Sequence, residues 1–214
     1  MSLTPPRPPR LTDLVAFDLR HGLPLVWRVL ASPLGALGAA RVVARYLGLQ
    51  ASPDPLRGCA PSDDPREPMT RYQLRSALRL ERALSHLPPA KAAELLREVV
   101  CEVGAAFIAA TGPPDGPRWV AAADDERRAF AEGLLRYFPN ATGAVVRTGP
   151  DGLDFDIHRC RFAELTRELG RQDLAPLFCE ADTRFYARPG FGVLRREETL
   201  ARGDGVCAFR IRYD

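Results

Sequence analysis

The chain reads as an α+β fold: a helical N-terminal part followed by an antiparallel sheet, ββ-αα-ββ in order, covered by helices. Three observations predict it. Apolar residues recur at three- and four-residue spacing over most of residues 11–138, with a break at 50–69. The period then changes to that of strands in "GAVVRTGPDGLDFDIHRC", and again in "FGVLRREETLARGDGVCAFRIRY". Between those stretches lie two short helical segments, the order expected of helices laid across a sheet.

Each element follows from its residues. Residues 1–10 are proline-rich and expected to be disordered. From Leu11 to Leu49 the helical pattern is interrupted at Pro24 and Pro33, giving two or three short helices. Residues 50–69 hold five prolines and no sustained period, so they form a linker or wrapping loop. Thr70 is placed to cap a helix carrying Leu74, Ala77, Leu78, Glu81 and Leu84. A second helix runs from Ala90 to about Ala110 and stops at "TGPPDGP"; a third begins near Asp124 and turns Phe130, Leu134, Leu135 and Phe138 inward. Two strands joined by a tight turn at Gly149–Gly152 come next, then helical segments Phe162–Gly170 and Asp173–Tyr186. A second strand pair, turning at Gly203–Gly205, ends the chain. The boundaries are a tail at 1–10, a helical region at 11–118 and an α+β unit at 119–214, with 70–118 in the same compact unit as the sheet.

Composition excludes several classes. With 46% hydrophobic and 27% charged residues, the 214-residue chain can bury a core. Its net charge of +3 is spread along the sequence, which speaks against nucleic-acid binding. Positive charge is almost all arginine, Lys91 being the sole lysine. Five cysteines, an odd number, exclude a fully paired disulfide scaffold. The opening "MSLTPPRPPR" lacks the apolar run of a secretory signal, and a reduced, cytoplasmic compartment is the expectation. "LPLVWRVLASPLGALGAA" is broken by Arg28, Pro33 and glycines, short of the about 20 nearly uncharged residues a spanning helix needs. No membrane contact is expected of it; lying along a membrane or partner surface is the alternative. The oligomeric state is left open.

Chemistry concentrates in the C-terminal half. Alternation puts Leu153, Phe155 and Ile157 on one strand face, and Asp154, Asp156, His158 and Cys160 on the other. Same-face neighbours two apart have Cβ atoms about 7 Å apart, too far for a comfortable direct His158–Cys160 hydrogen bond, so a solvated face competes with a catalytic pair. Cys179 and Asp182, three apart on a helix, point to nearly the same side. A carboxylate there can orient a partner, move a proton, or ligate a metal with the thiolate. The competing account pairs Asp182 with Arg184 or Arg188 at the surface. Cys207 alternates with Phe209, Ile211 and Tyr213 and faces the core. Cys101 packs as a small hydrophobe beside Val100, Gly104 and Phe107, and Cys59 sits in the proline-rich loop. The gaps between Cys160, Cys179 and Cys207 match no compact zinc knuckle, so a metal site has to be assembled by the fold. No dinucleotide fingerprint, P-loop, nucleophile elbow or HExxH occurs, and "RGDG" at 202–205 reads as a turn.

"FDIHRCRFAELTRELGRQDLAPLFCEAD" and "RREETLARGDGVCAFRIR" together resemble the L-2-amino-thiazoline-4-carboxylic acid hydrolase family. That family carries a strand ending in Cys, then Gly, Cys-x-x-Asp, and a Thr-Leu-x-x-Gly-x-x-x-Cys-x-Phe strand. Here Cys160, Gly170, Cys179, Asp182, Thr199, Leu200, Gly203, Cys207 and Phe209 fall in that order, within about residues 120–212. The departures are Ala208, where an acidic residue is expected, and "CRF" after the first cysteine. A more distant likeness is to 4-vinyl reductase-type domains, some of which hold zinc through cysteines and an acid.

The resemblance implies a hydrolase that opens a small nitrogen heterocycle, possessing a carboxylate in some substrates, or cleaves a related C–N bond of a cyclic amide- or amidine-like compound. It implies Cys179 as thiolate nucleophile and Asp182 as proton carrier, with Cys160 and Cys207 flanking them. Arg195 or Arg196 is expected to hold a substrate carboxylate, with His158 beside the substrate and no cofactor required. Zinc held by Cys160, Cys179, Cys207 and Asp182 and activating water is the rival. A non-catalytic small-molecule or zinc-binding sensor or accessory protein using the same pocket is the other reading.

Overall fold

A computed structural model describes every residue except 1, 2, 5, 6, 8, 112–114, 139, 140 and 214. The α+β architecture is present: a helical N-terminal part, then a four-stranded antiparallel sheet of order β1-β2-β4-β3 with helices against it.

Helix α1 (Leu11–Phe17) runs through a π-helical segment, Asp18–Gly22, into α2 (Leu23–Gly48). Pro24 stands at the second position of α2, directly after the π-helical segment, and does not end the helix. The second interruption falls at Gly35, two residues past Pro33, where φ 68° and ψ 169° break α2 into two arms. Glycine alone takes that conformation without a Cβ clash. Helix α3 (Glu67–Leu84) starts three residues before Thr70, with Pro68 in its first turn; Thr70 is buried inside the helix and does not cap it. Helix α4 (Pro89–Thr111) stands where expected, although part of the "TGPPDGP" that follows it lies outside the described residues. A short helix not anticipated, α5 (Gly116–Ala121), is capped by Asp115, which accepts the Arg118 N–H at 2.8 Å. Helix α6 (Asp124–Tyr137) follows.

The strands are β1 (Ala141–Gly149), β2 (Gly152–Cys160), β3 (Val193–Arg195) and β4 (Cys207–Arg212). Between the first and second pairs lie α7 (Arg161–Glu168), a 3-10 turn at Gln172–Leu174, and α8 (Ala175–Tyr186). Gly170, at φ 66°, ends α7 in a Schellman turn: Arg171 N–H reaches the Thr166 carbonyl and Gly170 N–H that of Arg167. The expected tight turn at Gly203–Gly205 does not join the last two strands. Pairing of β3 with β4 stops at Arg195↔Arg210, and a 3-10 turn at Leu200–Arg202 intervenes. The N–H groups of Thr199 and Leu200 go to the Asp204 carboxylate and to Cys207 Sγ, so they are lost to the ladder.

Two cores result. One packs α2, α3, α4 and α7 through residues such as Leu30, Val42, Leu74, Leu84 and Leu165. The other fills the space between the sheet and α5–α6 with Trp119, Phe130, Leu153, Phe155, Phe209 and Ile211. Of the proline-rich tail expected to be disordered, Leu3 is buried in this second core, while residues 1, 2, 5, 6 and 8 lie outside the described set. Helix α8 bridges the cores. It packs closely on α4, because a Cβ at Gly104 would stand 2.7 Å from the Ala181 Cβ.

Candidate functional site

The first sulfur owes its position to a bulge. Thr142 pairs with Arg159, but the next residue, Gly143, pairs with Ile157, leaving His158 as an extra residue on β2. Val146 is the corresponding extra residue on β1. A bulge shifts the alternation beyond it. Asp154 and Asp156 remain on the outer face, paired with Arg147 at 3.2 Å and Arg210 at 2.7 Å. His158 and Arg159 are both exposed, whereas Cys160 turns inward and packs against the helical core. The shared face expected for His158 and Cys160 is therefore not formed, and the two make no pair.

The other members arrive from α8, β3 and β4. On α8, Ala181 and Phe185 are buried, while Cys179, Asp182 and Tyr186 follow at helical spacing on a neighbouring side. Leu194 stands opposite Ile211, so Arg196, two residues on, extends over the inner face, where its guanidinium lies 4.6 Å from the Phe209 ring centroid. Arg196 donates to Asp182 Oδ2 at 2.8 Å and to the Cys179 carbonyl. Its side chain is 5% exposed. Arg195 points the other way and is exposed. Cys207 is buried and accepts the Leu200 N–H at 3.1 Å.

These groups shift one another's titration. Burial pushes the Cys179 thiol up to about 12; Arg196 pulls it down, while Asp182, Cys160 and Cys207 push it up. Burial raises Cys160 to about 11, opposed by the backbone N–H groups of Ala163 and Phe162 at the start of α7, with Cys207 and Asp182 adding to the rise. Cys207 is raised by burial, against the Leu200 N–H and Arg196. Burial also raises the Asp182 carboxyl, against the pull of Arg196. Three thiols, one carboxylate and one guanidinium thus act on one another at the junction of the two cores. The 3-10 turn at Leu200–Arg202 packs over them, touching α7, α8 and β2.

Among the described residues, no group of three or more His, Cys, Asp and Glu side chains is placed to hold a metal ion. The zinc set of Cys160, Cys179, Cys207 and Asp182 does not assemble with a ligand geometry here. Cys101 packs in the core as expected, its Sγ 3.6 Å from the Leu177 carbonyl.

Some neighbours were not singled out from sequence. The Tyr186 hydroxyl is pushed well up by burial, Tyr213 and Asp182; its place four residues after Asp182 on the same helix was the available signal. Thr199, which matches the family pattern, is buried with an Oγ1 that has no hydrogen-bond partner among the described residues. Both sequence departures are explained by position. Ala208 pairs with Asp156 on the outer face, away from the thiols. Arg161 of "CRF" is a buried anchor, donating to Glu67 at 2.7 Å.

A separate cavity of about 310 Å³ lies under α1 and α2, lined by apolar side chains that include Leu14, Val26, Tyr46, Phe107 and Phe178. Phe178 stacks on Phe162 with 3.9 Å between ring centroids, next to the two half-buried cysteines.

A family profile described as L-2-amino-thiazoline-4-carboxylic acid hydrolase matches residues 72–211, a span that includes every member of the cluster. No curated protein and no solved structure matches the chain. The profile covers well over half of the sequence: the chain belongs to the L-2-amino-thiazoline-4-carboxylic acid hydrolase family.

Proposed function

We propose that the protein is a hydrolase opening a small, carboxylated nitrogen heterocycle of the aminothiazoline type, with Cys160 as its nucleophile. The observation that carries this reading is the place of Cys160 at the N-terminus of α7, beside the N–H groups of Phe162 and Ala163 and within reach of the field of Asp182. Backbone N–H groups at a helix start favour a thiolate. Cys179, the nucleophile expected from the sequence, lies inside α8 and lacks such donors.

In the proposed step, Asp182 takes the proton of the Cys160 thiol. The sulfur then bonds to the ring carbon that sits between heteroatoms, and the ring heteroatom leaves with the proton carried by Asp182. Water attacks the resulting carbon–sulfur adduct; one of its protons returns to the thiol as the opened product departs. Arg196 is a positioning residue. Two of its donors are committed to Asp182 and to the Cys179 carbonyl, so it holds the acid in place. The unpartnered Thr199 hydroxyl is a natural donor or acceptor for the ring.

The test is turnover. Incubation with 2-aminothiazoline-4-carboxylate, cyclic ureas and lactams, followed by mass analysis, is expected to show a ring-opened product. Cys160→Ser should lower kcat by roughly 10³-fold or more, and Cys179→Ala by far less. Full activity in Cys160→Ser would remove the nucleophile assignment. Binding without opening of any compound would instead favour the sensor reading.

A further inference from the structure

We infer that α1 and α2 form a docking surface for an anionic lipid bilayer, independent of the chemistry at the cysteines. Their inner sides face the protein: Leu14, Phe17, Leu30, Ala39 and Val42 are buried. Their outer side is nonetheless apolar. Leu19, Leu23 and Trp27 follow one another at four-residue spacing along the first arm, Leu19 and Leu23 at the rim of the apolar cavity, and Leu37 and Leu47 are exposed on the second arm beyond Gly35. Trp27 is 43% exposed and Leu37 is 89% exposed. Arg20, Arg28 and Arg41 stand exposed beside them.

Charge selects the occupant. Between Asp18 and Asp54 the chain has no Asp or Glu but four arginines, Arg20, Arg28, Arg41 and Arg45. An apolar face whose charged residues from Leu19 to Pro53 are all cations, with a tryptophan at the boundary, matches a negatively charged headgroup layer. A spanning arrangement does not fit. Although the helix Leu11–Ala51 has a mean hydropathy of 1.4 over its most apolar window, Gly35 breaks it. Only twelve residues separate Arg28 from Arg41. They give about 18 Å of helix against a hydrocarbon core of about 30 Å. The segment therefore lies in the interface plane.

The experiment uses the full chain with vesicles of phosphatidylcholine alone or mixed equally with phosphatidylglycerol. Co-sedimentation is expected only with the mixed vesicles, together with a blue shift of Trp27 emission and its quenching by brominated lipid. Trp119 is fully buried and supplies a constant background, and Trp27→Phe removes the change. Each of Arg20→Gln, Arg28→Gln and Arg41→Gln should weaken partitioning about fivefold, the equivalent of about 1 kcal/mol per basic residue at such a surface. Leu37→Ser should weaken it as well. Equal partitioning onto both vesicle types, or binding unchanged in the triple arginine variant, overturns the proposal. So does a concentration-dependent dimer, lost in Leu37→Ser, that ignores vesicles.

Discussion

At the scale of residues, the cluster is a balance between burial and a few oriented donors. All three thiols are held protonated at neutral pH by loss of water, and Arg196 is the one cation pulling the other way on Cys179, Cys207 and Asp182. Because Arg196 lowers the Asp182 carboxyl, its replacement should let that group rise further. Arg196→Lys, which loses the forked donor, is therefore expected to shift the acid limb of a pH–rate profile to higher pH while KM changes little. A profile that falls uniformly without moving would make Arg196 a purely structural residue. The sequence showed Cys179 and Asp182 as neighbours because helical spacing is a local property. It could not show whether Arg195 or Arg196 joins them, since that depends on the register of a three-residue strand.

At the scale of elements, the proline-rich loop is fastened where the sequence showed only an absence of pattern. Glu67, buried at the start of α3, accepts from Arg161 at 2.7 Å and from Arg71 at 2.6 Å, and both arginines also reach the Ala60 carbonyl. Burial works to raise the Glu67 carboxyl, but the hydrogen bonds from Arg161 and Arg71 prevail and hold it below its ordinary value. A lowered carboxyl stabilises the folded state above its unfolded pKa of about 4.3, and that contribution disappears as pH falls through the still lower folded value. Urea midpoints should thus be insensitive to pH near neutrality and decline in acid. Glu67→Gln should cost about 1.5–3 kcal/mol at pH 7, the worth of a charge-assisted hydrogen bond, because Arg71 loses its carboxylate while Arg161 keeps Glu164 and Glu168, and should flatten the acid decline. An unchanged midpoint would mean the clamp is incidental. Helix and strand periods made α4, α6 and the first hairpin legible. The bulge at His158, the break at Gly35 and the irregular segment before β4 were not, since each is set by pairing or packing with distant residues.

For the whole molecule, the relation between the two cores matters most. They meet along α8, whose Leu177 and Phe178 pack on the first core and whose Tyr186 packs on the second, which predicts a single unfolding transition. Trp119 emission, which reports on the sheet core, and far-ultraviolet ellipticity, which reports mainly on helices, should give coincident urea curves. Separate midpoints would show that the helical part and the sheet open independently. The fold class was legible because periodicity is spread over many residues; the meeting of the cores was not, because it has no local signature. The extra residue at His158 also ties the site to strand register more than to composition. A homologous chain of the same length whose second strand paired without that bulge would keep every cysteine, the aspartate and the arginine, yet turn its first sulfur toward solvent without losing the motif.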